Sequence, residues 1–238
     1  AQRHAEEKAL AEKNPELSAQ MRHWFSGNAP QIDWSKVEQK PGQATRAASS
    51  VCLSVLAEQV PNMVCSSADL SNSDKTDGFL KKTQSMVKGD FSGAFFQAGV
   101  SELTMTCMCI GMYLHGGVIP ACGTFFVFSD YQKPAIRLAA LMEVPIKFIW
   151  SHDAFRVGED GPTHEPIEQY AMLRSLPNFN LFRPADATET AAGWYLAVTS
   201  KTTPTGLVLT RQNLPQLPGS SKEALKGGYV IADSTKET

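Results

Sequence analysis

From Leu103 to Ser129 the chain runs for 27 residues without a single Asp, Glu, Lys or Arg. So long an uncharged stretch must be hidden from water, and its length would suffice to span a bilayer. Its punctuation argues for something else. His115, the Gly116-Gly117 pair, Pro120, Gly123 and several Thr and Cys residues interrupt it. They divide it into a helix (about 102–115), a turn and a strand near Val118. The stretch therefore reads as the buried part of an α/β core, and no membrane partner is expected. No signal-peptide pattern precedes it, since the first 24 residues are charged and polar. The sequence opens on Ala1 rather than Met, as expected for a piece of a longer chain.

The rest of the 238 residues alternates in the same way. Asn14-Pro15 is a helix start and Gly27 a stop, within a helical lead-in. Residues 39–42 (QKPG) form a linker signal. A helix is expected at 44–59, a strand around Met63–Cys65, and then a long polar loop from Ser66 to Asp90, of the kind that carries function. Further on, helices are expected at 128–142, up to about Ser175, and at 186–199. Strands are expected at 146–150 (IKFIW), 180–182 and 205–210. Such repetition predicts a doubly wound, mostly parallel sheet with helices on both faces. In such sheets ligands bind beyond the carboxyl ends of the strands. Residues 67–73, 151–164 and 211–213 all fall there.

With 22 Lys+Arg against 24 Asp+Glu, the formal charge is −2, so no basic excess invites nucleic acid. Five cysteines, odd in number and set in apolar runs, suit a reducing, cytoplasmic setting. No zinc-like spacing and no G-x-S-x-G elbow are present. The loop after Trp150 gathers His152, Asp153, Asp160 and His164, side chains able to bond several hydroxyl groups at once. The competing view is a solvated loop that starts a helix. Glu102 opens the helix of the uncharged run. It is either a solvent-facing helix-start carboxylate or a poorly solvated one, whose burial would favour a held proton. Phe125, Phe128 and Tyr131 recur every third residue, as core or as a cage for a flat ring. Arg46 and Arg211 are the arginines best placed for an anion.

Six segments in order (KPGQATRAAS, SSADLSNS, GTFFVFSDY, SHDAFRVGEDGPTHEPIEQ, FRPADATE and LTRQNLP) resemble the pyrimidine-binding domain of transketolases. The resemblance implies a domain at 40–215. Residues 1–39 would be a helical linker from a diphosphate-binding domain, and 216–238 a linker toward a C-terminal domain. It implies transfer of a two-carbon ketol unit between sugar phosphates with thiamine diphosphate, in a homodimer whose subunits share the site. By the same resemblance, Glu102 bonds the aminopyrimidine ring and favours the tautomer that removes the thiazolium proton. Asp69, Phe125, Phe128 and Tyr131 surround the cofactor. His152, Asp160 and His164 bond the sugar hydroxyls, and Arg46, Ser73 and Arg211 hold its phosphate. Magnesium belongs to the GDG-bearing N-terminal domain, so no metal ligand is expected here. Ser101, Leu103 and Glu165 depart from the family pattern. Dihydroxyacetone synthase and a non-catalytic transketolase-like subunit or interaction module are the alternatives. Deoxyxylulose-phosphate synthase is disfavoured by GEDGPTHEP and LTRQNLP.

Overall fold

A computed structural model describes residues 2–154 and 156–233. Phe155 of the 151–164 loop and residues 234–238 of the expected C-terminal linker lie outside the described residues.

Six described strands form one parallel sheet: β1 Met63–Ser67, β2 Phe95–Gln97, β3 Ile119–Phe125, β4 Lys147–Ser151, β5 Asn180–Phe182 and β6 Thr205–Leu209. Their spatial order is β2-β1-β3-β4-β6-β5. The principal helices are α1 Gln2–Lys13, α2 Pro15–Phe25, α3 Thr45–Gln59, α4 Ser71–Asp74, α5 Asp77–Leu80, α6 Glu102–His115, α7 Ser129–Leu141, α8 Gln169–Arg174 and α9 Ala187–Thr199. Side chains of successive strand residues point to opposite faces, and the core divides accordingly. Ile149, Leu207 and Leu209 join α3 and α9 through Leu53 and Trp194. Phe148, Trp150 and Val208 join α6, α7 and α8 through Met105, Ile136 and Leu173. Gly206 lets the Trp150 ring lie against β6, since a Cβ there would come within 2.2 Å of it.

The caps show why the helices start where they do. Asn14 Oδ1 accepts from the Leu17 amide at 3.0 Å, with Pro15 in the first turn. Asp186 Oδ1 accepts from the Glu189 amide at 3.0 Å. Such caps stabilise a helix by about 1 kcal/mol. The uncharged run resolves into α6, a Gly116-Gly117 turn and β3. No described helix is long and apolar enough to cross a membrane.

Three features differ from the sequence expectations. The polar segment after β1 is not a structureless loop, because α4 and α5 fold within it and Ser85 bridges to Phe95. The three-residue edge strand β2 is too short to register as an apolar run. Helix in the lead-in stops at Phe25, where Gly27 implies, but it does not resume in the rest of the expected helical linker. Beyond it the chain is largely extended, with one 3-10 turn at Trp34–Lys36, and Ile32, Trp34 and Val37 pack on the α3/α9 core.

Candidate active site

The four central strands β1, β3, β4 and β6 end side by side, and their exits carry most of the residues singled out from the sequence. Ser67 of β1 pairs with Gly123 of β3, Phe125 of β3 with Ser151 of β4, and Ser151 with Leu209 of β6. Asp69 and Ser73 therefore follow β1. Phe125 ends β3, with Phe128 and Tyr131 just after it. His152, Asp160 and His164 follow β4, and Arg211 follows β6. Arg46 reaches the same end from the first turn of α3.

Arg46 and Arg211 are brought together by a staple that sequence reasoning missed. Thr45 and Thr210 bond reciprocally: the Thr45 amide donates to Thr210 Oγ1 at 3.0 Å, and the Thr210 amide to Thr45 Oγ1 at 2.8 Å. Asn213 Oδ1 accepts from the Ala44 amide at 3.1 Å. The start of α3 is thus sewn to the exit of β6, with both arginines beside the seam. Arg46 also donates from Nη1 to the Ser73 carbonyl at 2.7 Å, which draws the β1 exit into the cluster. Burial, and then repulsion by Arg211, pull the Arg46 guanidinium below its ordinary pKa, while Asp74 and Asp160 oppose the shift. Two permanent cations held this close suit a bidentate anion such as phosphate. Gly158, at φ +106°, makes room for the second: a Cβ there would lie 2.8 Å from Arg211 Cζ.

His152 is buried and in the left-handed region, at φ +63°. Its ring packs on Phe125 with centroids 3.7 Å apart, and Nδ1 lies 2.9 Å from Ser151 Oγ. Burial first, then the Arg46 charge, lower its pKa to about 4, so the imidazole is neutral near pH 7. The next residue anchors the turn. Asp153 Oδ2 accepts from Arg183 Nε at 3.0 Å and Nη2 at 2.6 Å, and the Asp153 carbonyl accepts from the Tyr170 hydroxyl at 2.8 Å. The Arg183 guanidinium lies over the Tyr170 ring, 5.2 Å from its centroid. His164 closes the other side, 5.3 Å from Phe128 and 6.1 Å from Phe125 between centroids. Asp160 is exposed at the rim, where its charge acts on both Arg46 and His152.

Glu102 is 7% exposed, which decides between the two readings of this helix-start carboxylate in favour of burial. It lines a cavity of about 370 Å³ with Ala68, Leu70, Val100, Phe128 and Tyr131. The aromatic triad does not line that cavity as one set. Phe128 and Tyr131 face it, while Phe125 stands one ring further along, stacked on Phe128 at 6.1 Å and touching His152. Phe126, their neighbour, goes to the core. Asp69 is exposed, at φ +63°, between the cavity-lining Ala68 and Leu70. A further unforeseen network holds the first turn of α6. Thr106 Oγ1 donates to the Glu102 carbonyl at 2.8 Å and accepts from Gln132 Nε2 at 2.9 Å. Gln132 Oε1 in turn accepts from Trp150 Nε1 at 2.6 Å. The signal that pointed toward these supports was their place in the same short segments: Thr45 beside Arg46, Asp153 beside His152, Arg183 in FRPAD.

Fold and site together define a doubly wound α/β domain with the parts to hold a flat ring against a buried carboxylate and an anion against two arginines. The model for "Transketolase, pyrimidine binding domain" matches residues 41–216. The chain belongs to that family. It is similar to the transketolase of Bacillus subtilis (strain 168), 49% identical over 232 residues, which covers 94% of this chain and 34% of that protein. Among solved structures it is similar to transketolase from Leishmania mexicana, with a TM-score of 0.91 and 36% identity, covering 96% of this chain and 34% of that one. A second is the Pichia stipitis transketolase complex with sedoheptulose-7-phosphate, with a TM-score of 0.89 and 40% identity, covering 97% and 35%. The chain thus spans about a third of the length of these relatives.

Proposed function

We propose that residues 40–215 are the pyrimidine-binding domain of a thiamine diphosphate-dependent transketolase that moves a two-carbon ketol unit between sugar phosphates. In this reading residues 1–39 and 216–238 connect it to a diphosphate- and magnesium-binding domain and to a C-terminal domain. The observation that carries the proposal is the buried Glu102 facing a ring-sized cavity walled by Phe128 and Tyr131. Those residues fit the aminopyrimidine of the cofactor, which when bound supplies the carbanion-stabilising chemistry. Glu102 would bond a nitrogen of that ring from a setting in which water is largely excluded. Phe128 and Tyr131 stack the ring, Phe125 extends the apolar wall toward His152, and Asp69 stands at the rim. His152, Asp160 and His164 orient the sugar hydroxyls. A neutral His152 can both donate and accept. Arg46, Ser73 and Arg211 would hold the phosphate of the sugar.

The face of α6 beyond Glu102 supports a second subunit completing the site. Leu103, Met108 and Leu114 are 44%, 39% and 55% exposed, with Cys107 exposed beside them. An apolar helix face of this kind is what a homodimer would cover. Five free thiols suit a cytoplasmic setting. The test is Glu102→Ala in the full-length enzyme. Ketol transfer should fall at least about 100-fold while circular dichroism and tryptophan fluorescence stay native. Turnover near that of the unaltered enzyme would refute the mechanism.

A further inference from the structure

Asp74 has no part in the chemistry above, yet its side chain is entirely buried one residue beyond Ser73. Oδ2 accepts from Ser67 Oγ at 2.7 Å. Oδ1 accepts from the Thr76 amide at 2.9 Å and from Thr76 Oγ1 at 2.8 Å. Both oxygens are therefore spent on residues that flank Ser73 on either side. Ser67 Oγ also accepts from the Leu70 amide at 3.1 Å, and the Leu70 carbonyl accepts from the amides of Ser73 at 2.7 Å and Asp74 at 2.8 Å. Around Ser73 these bonds close a ring, and the group that leaves it is the Ser73 carbonyl bonded to Arg46 Nη1.

The neighbouring strand is shaped around the same carboxylate. A Cβ on Gly123 would lie 2.6 Å from Thr76 Cγ2 and 2.9 Å from Asp74 Oδ2, which accounts for the glycine of GTFF. Burial pushes the Asp74 carboxyl above its ordinary pKa, while the bonds from Ser67 and Thr76 oppose that shift. Burying a carboxylate is costly and adds nothing to packing that an apolar side chain would not. Its placement makes sense through Arg46, which feels Arg211 as a like charge and Asp74 as an opposite one.

We propose that Asp74 is a positioning residue for the anion clamp: by fixing the Ser73 carbonyl it fixes the Arg46 guanidinium, and so sets the preference for phosphate-bearing over phosphate-free ketol donors. The proposal rests on the reading of Arg46, Ser73 and Arg211 as the phosphate site, and Asp74 itself touches no substrate.

The experiment is steady-state kinetics on the full-length holoenzyme with a phosphorylated ketose and with a phosphate-free ketose, for Asp74→Ala, Asp74→Asn, Thr76→Val and Arg46→Ala. With Asp74→Ala the ratio of kcat/KM between the two donors should fall about tenfold or more, equivalent to one charge-assisted hydrogen bond. The change should lie in the KM of the phosphorylated donor. Asp74→Asn keeps an acceptor for Thr76 and should recover most of the ratio. Thr76→Val removes one bond at nearly constant volume and should lower the ratio about threefold, which keeps the test decisive if the alanine variant does not fold. A ratio unmoved by Thr76→Val and Asp74→Ala, or equal losses on both donors, overturns the proposal. Arg46→Ala separates the two ideas. If it lowers the ratio while the Asp74 and Thr76 variants do not, the positioning role fails alone. If Arg46→Ala leaves the ratio intact, the phosphate-site reading fails first and the Asp74 proposal with it.

Discussion

Lys147 opens β4 at 2% exposure, in a strand that continues Phe148, Ile149, Trp150. Its Nζ donates to the Pro145 carbonyl at 2.6 Å. Burial alone brings its pKa from the ordinary 10.5 to about 7. A folded-state pKa below the unfolded one means that stability is fully present above about pH 10.5 and is lost as pH falls toward 7. Over that window the unfolded chain takes up a proton that the folded chain refuses. At about 1.4 kcal/mol per pKa unit, the cost near pH 7 is on the order of 4 kcal/mol. Lys147→Met keeps the stem volume and removes this penalty, but leaves the buried Pro145 carbonyl without its donor, at a cost of about 1–3 kcal/mol. The variant should therefore be more stable by about 2 kcal/mol near pH 7, and less stable by about 1–2 kcal/mol near pH 10.5. Urea unfolding at the two pH values, followed by fluorescence of the buried Trp150 and Trp194, reads the difference directly. A stability difference that does not change with pH, or a methionine variant weaker at pH 7, would refute the reasoning.

Gly158→Ala forces a side chain to φ +106° and into the Arg211 guanidinium. It should cost about 1–3 kcal/mol in urea unfolding and lower kcat/KM for a phosphorylated donor about tenfold, so unaltered kinetics would count against the clamp. His152 should titrate near pH 4 by NMR, and Arg46→Ala should move that midpoint upward because a repelling charge is gone. Since its folded pKa is depressed from 6.5, the stability this group contributes should be lost as pH falls from 6.5 to about 4. Arg183→Ala strips the ion-pair partner from Asp153, which is 1% exposed, and should destabilise by about 2 kcal/mol or more. An unchanged urea midpoint would show that the pair does not hold the His152 turn.

Much of this architecture was legible because its causes are local. Asn14-Pro15 caps α2, the uncharged run splits at Gly116-Gly117, and IKFIW carries the β-branched and aromatic residues of a buried strand. Helix α6 begins at Glu102 and ends at His115 as its pattern predicts. The three suspicious segments do follow β1, β4 and β6, because turn chemistry marks strand ends. Edge strand β2 escaped notice because three residues are too few to show a period, and the burial of Lys147 follows only from the packing around β4.

Sequence by itself determined the alternation of elements, the residue types gathered after each strand, and a carboxylate set at the edge of an uncharged run. Strand order was left to the tertiary structure, and strand order makes the site. Only because β6 lies beside β4 does Thr210 meet Thr45 across 165 residues, carrying Arg211 to Arg46 and Gly158. The passage of β3 beside β1 is likewise what seals Asp74 under Gly123 and exposes Glu102 to Phe128 rather than to water. Local propensity acts over a few residues, whereas these contacts depend on which surfaces the packed sheet brings together.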